Sequence, residues 1–414
     1  MNRFLKASLV VLLFSGGSQA QEWAQWRGPG RDGVVAASSV PAAWPASADK
    51  LKAVWRVEVG EGYSSPVVAG GRIYIHSRRD PQETVLAVDL ASGKILWQKT
   101  YKAPFKKNSY AAKMAKGPNS TPLVAGGRVY TLGVTAVLSA WDAQTGELVW
   151  RKDYSSTIDT SKMFCGTSMS PLIEGGALIV QVGSDIHGGR VLALDPATGA
   201  ERWAWTGAGP GYASPIVITS GGVRQIVTLT NGSMVGINAK SGATLWTAAF
   251  PDEWHENIVT PVWTGTHLVV SGVRQGTHAY TLRNSEGKWE AAQAWRNADV
   301  TMYMSSPVAA DGVLYAHSNK KKGQFVALDV ATGAVRWATE GRAGWHASVL
   351  LTPKHVVYLT NDANLVIVPR SPEKFAETAR YEVAQSETFA VPVLLADGLL
   401  VRDATGLARL TLSR

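Results

Sequence analysis

The sequence has 414 residues, of which 45% are hydrophobic and 18% charged, with a formal net charge of +9 at pH 7. The positive excess is modest and contains no dense run of lysine and arginine, so the composition argues against a nucleic-acid partner. A single cysteine, Cys165, excludes an intrachain disulfide and a thiolate metal site, and is typical of an inert small hydrophobe.

The first twenty residues have the pattern of an export signal peptide (1–20). Arg3 and Lys6 form a charged start, residues 7–14 are apolar, and Ser-Gln-Ala at 18–20 offers a small-residue cleavage site. We expect a periplasmic or extracellular protein without a transmembrane span, because no other stretch approaches the roughly 20 apolar residues that a spanning helix needs. We predict that residues 21–51 form an N-terminal extension packed on a single domain, 52–414.

A unit of four short β-rich segments recurs along residues 52–414. Each unit opens with Ser or Thr followed by Pro, as in Ser65-Pro66 and Thr121-Pro122, and continues through Gly-rich turns. Its clearest copies end Asp-x-x-x-Gly-x-x-x-Trp, as in Asp89 to Trp97 and Asp142 to Trp150. Counting the closing aromatic residues and the opening prolines gives eight units. A repeat of this period predicts an array of supersecondary units, each of them a four-stranded antiparallel sheet.

The closing tryptophans are predicted to dock each sheet on the next. A buried tryptophan removes about 150–250 Å² from water, which suits packing between sheets better than the alternative of an aromatic ligand cage. The predicted docking set is Trp55, Trp97, Trp150, Trp203, Trp246, Trp295 and Trp337.

The two ends of the repeat array complement each other. Residues 55–57 read as a fourth strand with no first three before it, whereas the C-terminal segment supplies three strands with no fourth. We therefore predict an all-β fold, an eight-bladed β-propeller of four-stranded antiparallel blades whose ring is closed by the N-terminal strand completing the last blade. Closure removes exposed sheet edges.

Residues just before each first strand are predicted to surround the mouth of the central channel. They mix aromatic, hydroxyl, amide and imidazole groups, as a small-molecule or sugar pocket does; the alternative is that they only satisfy channel waters and strand ends. The candidate ligand-binding residues are Tyr63, Ser64, Asn119, Ser120, Tyr212, Trp254, His255, Asn257, Trp345 and His346.

The long loops between blades emerge on the same face as this mouth, which we call the mouth face. Several basic residues fall on these loops and are candidates for binding an anionic partner, the alternative being that they only keep the loops solvated. These residues are Arg78, Arg79, Lys106, Lys107, Lys320 and Lys321.

No catalytic residue and no metal site is predicted. The eight histidines show no ligand spacing, and the sequence contains no Gly-Lys-Ser/Thr phosphate loop, Gly-x-Ser-x-Gly elbow or His-Glu-x-x-His motif. His255 and His346 each follow a tryptophan at the mouth, where a packed polar tip is the simpler interpretation than a general base.

The Ala-x-Asp-x-x-Thr-Gly-x-x-x-Trp repeats resemble those of the pyrroloquinoline quinone (PQQ) repeat family. Residues 22–33 (Glu-Trp-Ala-Gln-Trp-Arg-Gly-Pro-Gly-Arg-Asp-Gly) and 60–66 (Gly-Glu-Gly-Tyr-Ser-Ser-Pro) also resemble segments of secreted bacterial PQQ-like propellers. The resemblance implies either a quinoprotein dehydrogenase, which holds PQQ and Ca²⁺ over the channel mouth, or a cofactor-free scaffold of the outer-membrane assembly machinery.

Neither branch is matched fully. Cys165 alone cannot form the adjacent-cysteine disulfide of the alcohol dehydrogenases, no haem-attachment motif is present, and Asn119, Asn257 and Asp299 do not match a calcium set. The lipid-anchor cysteine of the assembly scaffold is also missing. We predict an exported, monomeric, non-catalytic propeller that binds an envelope protein or a small-molecule ligand at its mouth face and holds no cofactor. The alternatives are a PQQ-dependent dehydrogenase with Ca²⁺ and a carbohydrate-binding propeller.

Overall fold

The fold is an eight-bladed β-propeller, as the repeats predict. The computed structural model describes residues 22–46, 51–111, 114–156, 164–184 and 187–412. Its 32 strands form eight separate four-stranded antiparallel sheets. In the described residues the helical elements are short 3₁₀ turns, at Ala37–Ser39, Ser109–Ala111 and Lys320–Lys322.

The strands follow the blades in chain order. Strand β1 is Leu51–Glu58. Blade 1 contains β2 (Val67–Ala69), β3 (Arg72–Arg79), β4 (Gln82–Asp89) and β5 (Ile95–Lys102). Blade 2 contains β6 (Leu123–Ala125), β7 (Arg128–Leu132), β8 (Val137–Asp142) and β9 (Leu148–Asp153). Blade 3 contains β10 (Leu172–Glu174), β11 (Ala177–Ser184), β12 (Gly188–Leu194) and β13 (Glu201–Gly207). Blade 4 contains β14 (Ile216–Ser220), β15 (Val223–Leu229), β16 (Ser233–Asn238) and β17 (Thr244–Ala249).

The second half of the ring repeats the same order. Blade 5 contains β18 (Val262–Trp263), β19 (Leu268–Gly272), β20 (Gly276–Ser285) and β21 (Lys288–Asn297). Blade 6 contains β22 (Val308–Ala310), β23 (Val313–Ser318), β24 (Gln324–Asp329) and β25 (Val335–Ala338). Blade 7 contains β26 (Ala347–Leu351), β27 (His355–Thr360), β28 (Asn364–Pro369) and β29 (Ala379–Glu382). Blade 8 contains β30 (Val393–Leu395), β31 (Gly398–Arg402) and β32 (Gly406–Leu412).

The ring closes through the N-terminal strand. β1 pairs antiparallel with β32, from Leu51 opposite Leu412 to Glu58 opposite Gly406, and so becomes the outermost strand of blade 8. An ion pair of 2.7 Å between Arg56 and Asp403 joins the two ends of the chain. The predicted closure is therefore confirmed, and the sheet that seals the ring is built from both ends of the array.

Tryptophans of the fourth strands join neighbouring blades. The indole N–H of Trp97 in blade 1 donates to the carbonyl of Ala143, which follows the turn residue Asp142 in blade 2, at 3.1 Å. The same contact repeats from Trp55 to Leu90, from Trp150 to Pro196 and from Trp295 to Val330. In each case the glycine of the receiving turn lies against the indole ring.

Trp246 and Trp337 lie between blades with different partners. Blade 5 has no Asp-x-x-x-Gly turn and instead extends β20 and β21 into a long hairpin, so the indole of Trp246 donates to Gln225 of its own blade. Its ring still packs in the cluster that joins blades 4 and 5. Trp337 donates to the carbonyl of Ser371 in blade 7.

Candidate functional site

The described part of the N-terminal segment, residues 22–46, runs across the ring before β1 begins. Trp23 forms an antiparallel bridge with Val68 of β2, and the carbonyl of Ala24 accepts the N–H of Val124 in β6. Farther along, the N–H of Val35 donates to the carbonyl of Leu351 in β26. The segment thus connects the inner strands of blades 1 and 2 with that of blade 7 and crosses the channel between them.

Two arginines of this segment enter the channel. Arg31 donates to the carbonyls of Ser170, Pro171 and Pro215 at 2.9–3.1 Å. Arg27 donates to the carbonyl of Pro307 at 2.5 Å. Burial lowers the pKa of Arg27 to about 10 and that of Arg31 to about 9, so both guanidinium groups keep their charge at neutral pH. Sequence reasoning missed both residues, although the compact Arg-Gly-Pro-Gly-Arg-Asp-Gly motif marked the segment as unusual.

A belt of hydroxyl groups surrounds the channel at the Ser/Thr-Pro motifs. Each hydroxyl oxygen accepts a backbone N–H from the preceding blade, so the motif links neighbouring inner strands. The bonds run from Ser65 to Thr121, Thr121 to Ser170, Ser170 to Ser214, Ser214 to Thr260, Thr260 to Ser306 and, across the closure, Val391 to Ser65. The recurring Ser or Thr before proline is therefore a blade-to-blade contact as well as a channel-lining residue.

A pocket opens on the mouth side of this belt, on the axis of the ring. It encloses about 900 Å³ of empty space, part of which is open to solvent. Trp26 forms part of the pocket lining, and the guanidinium carbons of Arg27 and Arg31, which do not line the pocket, lie 5.6 and 5.9 Å from its ring centroid. The described residues that line the pocket are Trp26, Tyr63, Ser65, Met114, Asn119, Phe164, Cys165, Ser168, Ser170, Tyr212, Ser214, Ile258, Thr260, Tyr303, Met304, Ser306, His346 and Phe389.

Four of the predicted mouth residues meet in this pocket: Tyr63, Asn119, Tyr212 and His346. The hydroxyl of Tyr63 accepts the N–H of Ala115 at 2.9 Å, and that of Tyr212 accepts the N–H of Phe164 at 2.7 Å. The two tyrosines therefore hold parts of the two long loops that follow blades 1 and 2. The side-chain amide of Asn119 donates to Cys165 O and Ser168 Oγ.

Three other predicted ligand-binding residues lie in the scaffold. Ser64, Ser120 and Asn257 are buried and do not line the pocket. The Asn257 amide donates to the carbonyls of Thr230 and Phe250, which ties together the loops of blade 4. The structure thus places these three residues among the buried contacts of the blades and not in the pocket wall.

The remaining predicted ligand-binding residues, Trp254, His255 and Trp345, lie on the rim of the mouth. Trp254 is 59% exposed, and the guanidinium of Arg274 lies over its ring at 4.6 Å. Trp345 is 38% exposed and packs on Phe389 with ring centroids 5.1 Å apart. His255 is exposed and has a positive φ of 59°. These residues form a rim around the pocket rather than its wall.

Burial shifts the pKa values of the titratable groups in and beside the pocket. Burial lowers the pKa of His346 to about 3 and raises that of Cys165 to about 11. Glu256 lies behind Tyr303, with which it shares a hydrogen bond of 3.3 Å, and burial raises the pKa of its carboxyl group. At neutral pH the pocket thus offers a neutral imidazole and a protonated thiol, neither of which is activated for catalysis.

The predicted partner-binding residues divide into buried and exposed groups. Arg78 is fully buried, ion-paired with Asp80 at 2.7 Å and bonded to the carbonyl of Ala103, so its prediction as a surface contact is wrong. Lys107 is half-buried and donates to the carbonyls of Met114 and Ala115. The exposed members are Arg79, Lys106, Lys320 and Lys321.

The described part of the chain offers neither a clustered set of metal ligands nor a membrane-spanning helix. Within 22–46, 51–111, 114–156, 164–184 and 187–412, no three His, Cys, Asp or Glu side chains are grouped so that they could hold a metal ion. In the same ranges, no helix has the length and apolar character needed to cross a bilayer.

Comparisons with known proteins identify the repeat family. A family model described as outer membrane protein assembly factor BamB matches residues 22–104 and 81–339. BamB of Yersinia pestis is 25% identical over 263 residues, which cover 63% of this chain and 60% of that protein. The 1-butanol dehydrogenase (cytochrome c) of Thauera butanivorans is 30% identical over 196 residues, 46% of this chain and 27% of the dehydrogenase. The chain thus spans less than two thirds of the length of either relative.

Solved structures show the same architecture. A europium-containing methanol dehydrogenase superposes with a TM-score of 0.68 at 16% identity, covering 93% of this chain and 90% of that one. At this identity the similarity shows the fold alone. The family model covers most of the chain. The chain therefore belongs to the PQQ-repeat propeller family whose model carries the description outer membrane protein assembly factor BamB.

Proposed function

We propose that this chain is a non-catalytic binding propeller of the cell envelope, which holds an envelope protein against its mouth face. The observation that carries the proposal is the rim, where Trp254 and Trp345 are exposed beside a pocket whose titratable groups are neutral. Tryptophan and arginine are enriched among the residues that dominate protein–protein binding energy. Trp254 with Arg274 stacked on it supplies both in one place.

The chemistry of the pocket supports a binding role. Calcium in proteins is held by six to eight oxygen ligands, several of them from carboxylates. The described residues that line the pocket include no Asp or Glu, and the nearby carboxyl group of Glu256 is engaged with Tyr303. These residues do not fit a quinone held by Ca²⁺, and Cys165 has no neighbouring cysteine with which to form a disulfide.

The family relationship supports the envelope location. Several relatives carry the name outer membrane protein assembly factor BamB, and that name refers to the assembly of outer-membrane proteins. The predicted export signal, residues 1–20, lies outside the described residues. We extend the same compartment to this chain and propose a partner from outer-membrane protein assembly.

Site-specific photo-crosslinking tests the rim. Replacing Trp254 or Trp345 with a photoreactive phenylalanine in the exported protein is expected to capture the same envelope protein from both positions. Leu148, 47% exposed on the outer strand of blade 2, is a matched control of similar exposure and apolar character. Equal crosslinking from Leu148, or none from either rim position, would contradict the proposal.

A second candidate function is a PQQ-dependent dehydrogenase, which the aromatic pocket on the propeller axis and the fold favour. Calorimetric titration of the purified protein with PQQ, with and without Ca²⁺, separates the two. We expect no calcium-dependent binding. Tight calcium-dependent binding would overturn the non-catalytic assignment and direct attention to alcohol and sugar oxidation assays.

A further inference from the structure

Five hydroxyl groups of the channel belt face into the axial pocket: Ser65, Ser170, Ser214, Thr260 and Ser306. Each oxygen already accepts a backbone N–H from the preceding residue of the belt or, at Ser65, from Val391. Within the described ranges, none of the five donates its own O–H to another protein group in a bond of normal geometry. The O–H protons of five different blades are therefore free to donate to whatever occupies the axis.

The charge beneath these hydroxyls is positive. Arg31 binds the carbonyls of Ser170, Pro171 and Pro215, which belong to the belt or directly follow it. Arg27 binds the carbonyl of Pro307, next to Ser306, and its Nε and Nη1 have no partner among the described residues. The described pocket lining contains no carboxylate, and the acidic group whose charge acts on Arg27 is Asp32, which is exposed and lies outside the lining. A low-dielectric cup above two buried cations attracts an anion more strongly than an exposed charge pair would.

The walls above the belt are aromatic and apolar. Tyr63 and Phe389 pack with ring centroids 4.5 Å apart, and Phe164, Met114 and Ile258 also line the pocket. These walls suit a ligand with an apolar or aromatic body, because such side chains bury flat hydrocarbon surface well. The pocket thus has an apolar upper part and a donor-rich, electropositive lower part.

We propose that the axial pocket is a receptor for a small organic carboxylate. The carboxylate lies on the propeller axis, where it accepts hydrogen bonds from the belt hydroxyls, and its apolar body lies between the aromatic walls. A cation is repelled by the two arginines. A neutral sugar needs acceptors as well as donors, and the belt has already used acceptor capacity on backbone N–H groups. This inference concerns the pocket and does not rest on the protein partner proposed for the rim.

Calorimetric titration of the purified, full-length mature protein provides the test. Benzoate represents a free aromatic acid, N-acetylphenylalanine represents the end of a polypeptide chain, and benzamide is the neutral isostere of benzoate. We expect at least one carboxylate to bind at least tenfold more tightly than benzamide, with an affinity that falls as salt is added. The stronger of the two acids identifies the source of the carboxylate.

A pair of belt variants separates binding from scaffold effects. Ser214→Ala removes a hydroxyl that lines the pocket and accepts the N–H of Ser170. Thr121→Val removes a hydroxyl that accepts the N–H of Ser65 in the same way and does not line the pocket. We expect Ser214→Ala to weaken carboxylate binding about tenfold, the range for one hydrogen bond to a charged group, and Thr121→Val to leave it unchanged.

Three outcomes would overturn the inference: equal binding of benzoate and benzamide together with no preference for N-acetylphenylalanine, no binding of either acid, or equal losses in the two variants. If the acids bind as expected while the rim yields no crosslinks, the receptor stands and the protein-binding function fails. The two proposals are thus distinguishable.

Discussion

The indole ring of Trp97 occupies the space into which a side chain at Gly146 would project. A Cβ atom built on Gly146 would lie 2.6 Å from the ring, and the glycine has a φ of +72°. The same relationship joins Trp55 to Gly93 and Trp295 to Gly333. The Asp-x-x-x-Gly turn therefore requires glycine for two reasons, the left-handed backbone and the tryptophan of the preceding blade.

Gly146→Ala is expected to lower the free energy of unfolding by about 3 kcal/mol, since it adds overpacking against Trp97 to the cost of a left-handed alanine. Gly127→Ala is the matched control, because Gly127 has a φ of +73° and a Cβ atom added there would meet nothing within 4 Å. The control should lose only about 1 kcal/mol. Urea unfolding of both variants checks the difference, and equal losses would show that the ring makes no tight contact.

Trp150→Ala is expected to destabilise the protein by about 3–5 kcal/mol, because it empties the gap between blades 2 and 3 and leaves the carbonyl of Pro196 without its donor. Trp254→Ala removes the same side chain from a site that is 59% exposed and should change stability by less than about 0.5 kcal/mol. Thermal unfolding monitors both. An unchanged midpoint for the Trp150 variant would refute the docking role.

The sequence predicted the blades well because each one is specified locally. The turn Asp142, the glycine four residues on and the closing Trp150 lie within one short segment, and together they determine a strand pair and its docking residue. Ring closure was also predictable, because an unpaired strand at one end matched a missing strand at the other.

The two buried arginines beneath the pocket could not be predicted in this way. Arg31 binds carbonyls 139 to 184 residues away, and Arg27 binds one 280 residues away. No local pattern specifies which blades a crossing segment will reach. Arg78 was misplaced for a related reason: it is one of two consecutive arginines at the end of β3 and was predicted to face a partner, but it is buried, and Asp80 and Glu83 lie within ion-pair distance of its guanidinium group.

Arg31→Ala is expected to cost about 3 kcal/mol of stability, because the carbonyls of Ser170, Pro171 and Pro215 lose their shared donor inside the ring. Arg79→Ala, at an exposed position on the mouth face, should leave the unfolding midpoint unchanged. Chemical denaturation of the two variants measures their free energies of unfolding and checks this difference. If both behave like the wild type, the N-terminal segment lies on the ring without stabilising it.

His346 makes stability fall in mild acid. Burial, and to a lesser degree the neighbouring His317, hold its folded pKa at about 3, below the usual 6.5. The unfolded chain therefore binds a proton that the folded chain does not, and the stabilisation that is complete above pH 6.5 decreases towards pH 3. The loss at pH 5 is about 2 kcal/mol. His346→Gln should reduce the difference in urea midpoint between pH 7 and pH 5, whereas an equal difference in both proteins would assign the acid sensitivity to other groups.

Lys106 and Lys107 are adjacent in sequence but should behave differently when neutralised. The Lys107 amine donates to the carbonyls of Met114 and Ala115, and burial lowers its pKa. Lys107→Gln should loosen the loop that Tyr63 also holds, which we expect to appear as faster proteolysis after β5. Lys106 is exposed, so Lys106→Gln should leave proteolysis unchanged and weaken only a salt-sensitive contact with a partner on the mouth face. Equal proteolysis of the two variants would mean that Lys107 does not brace the loop, and both lysines would then serve solvation or partner binding alone.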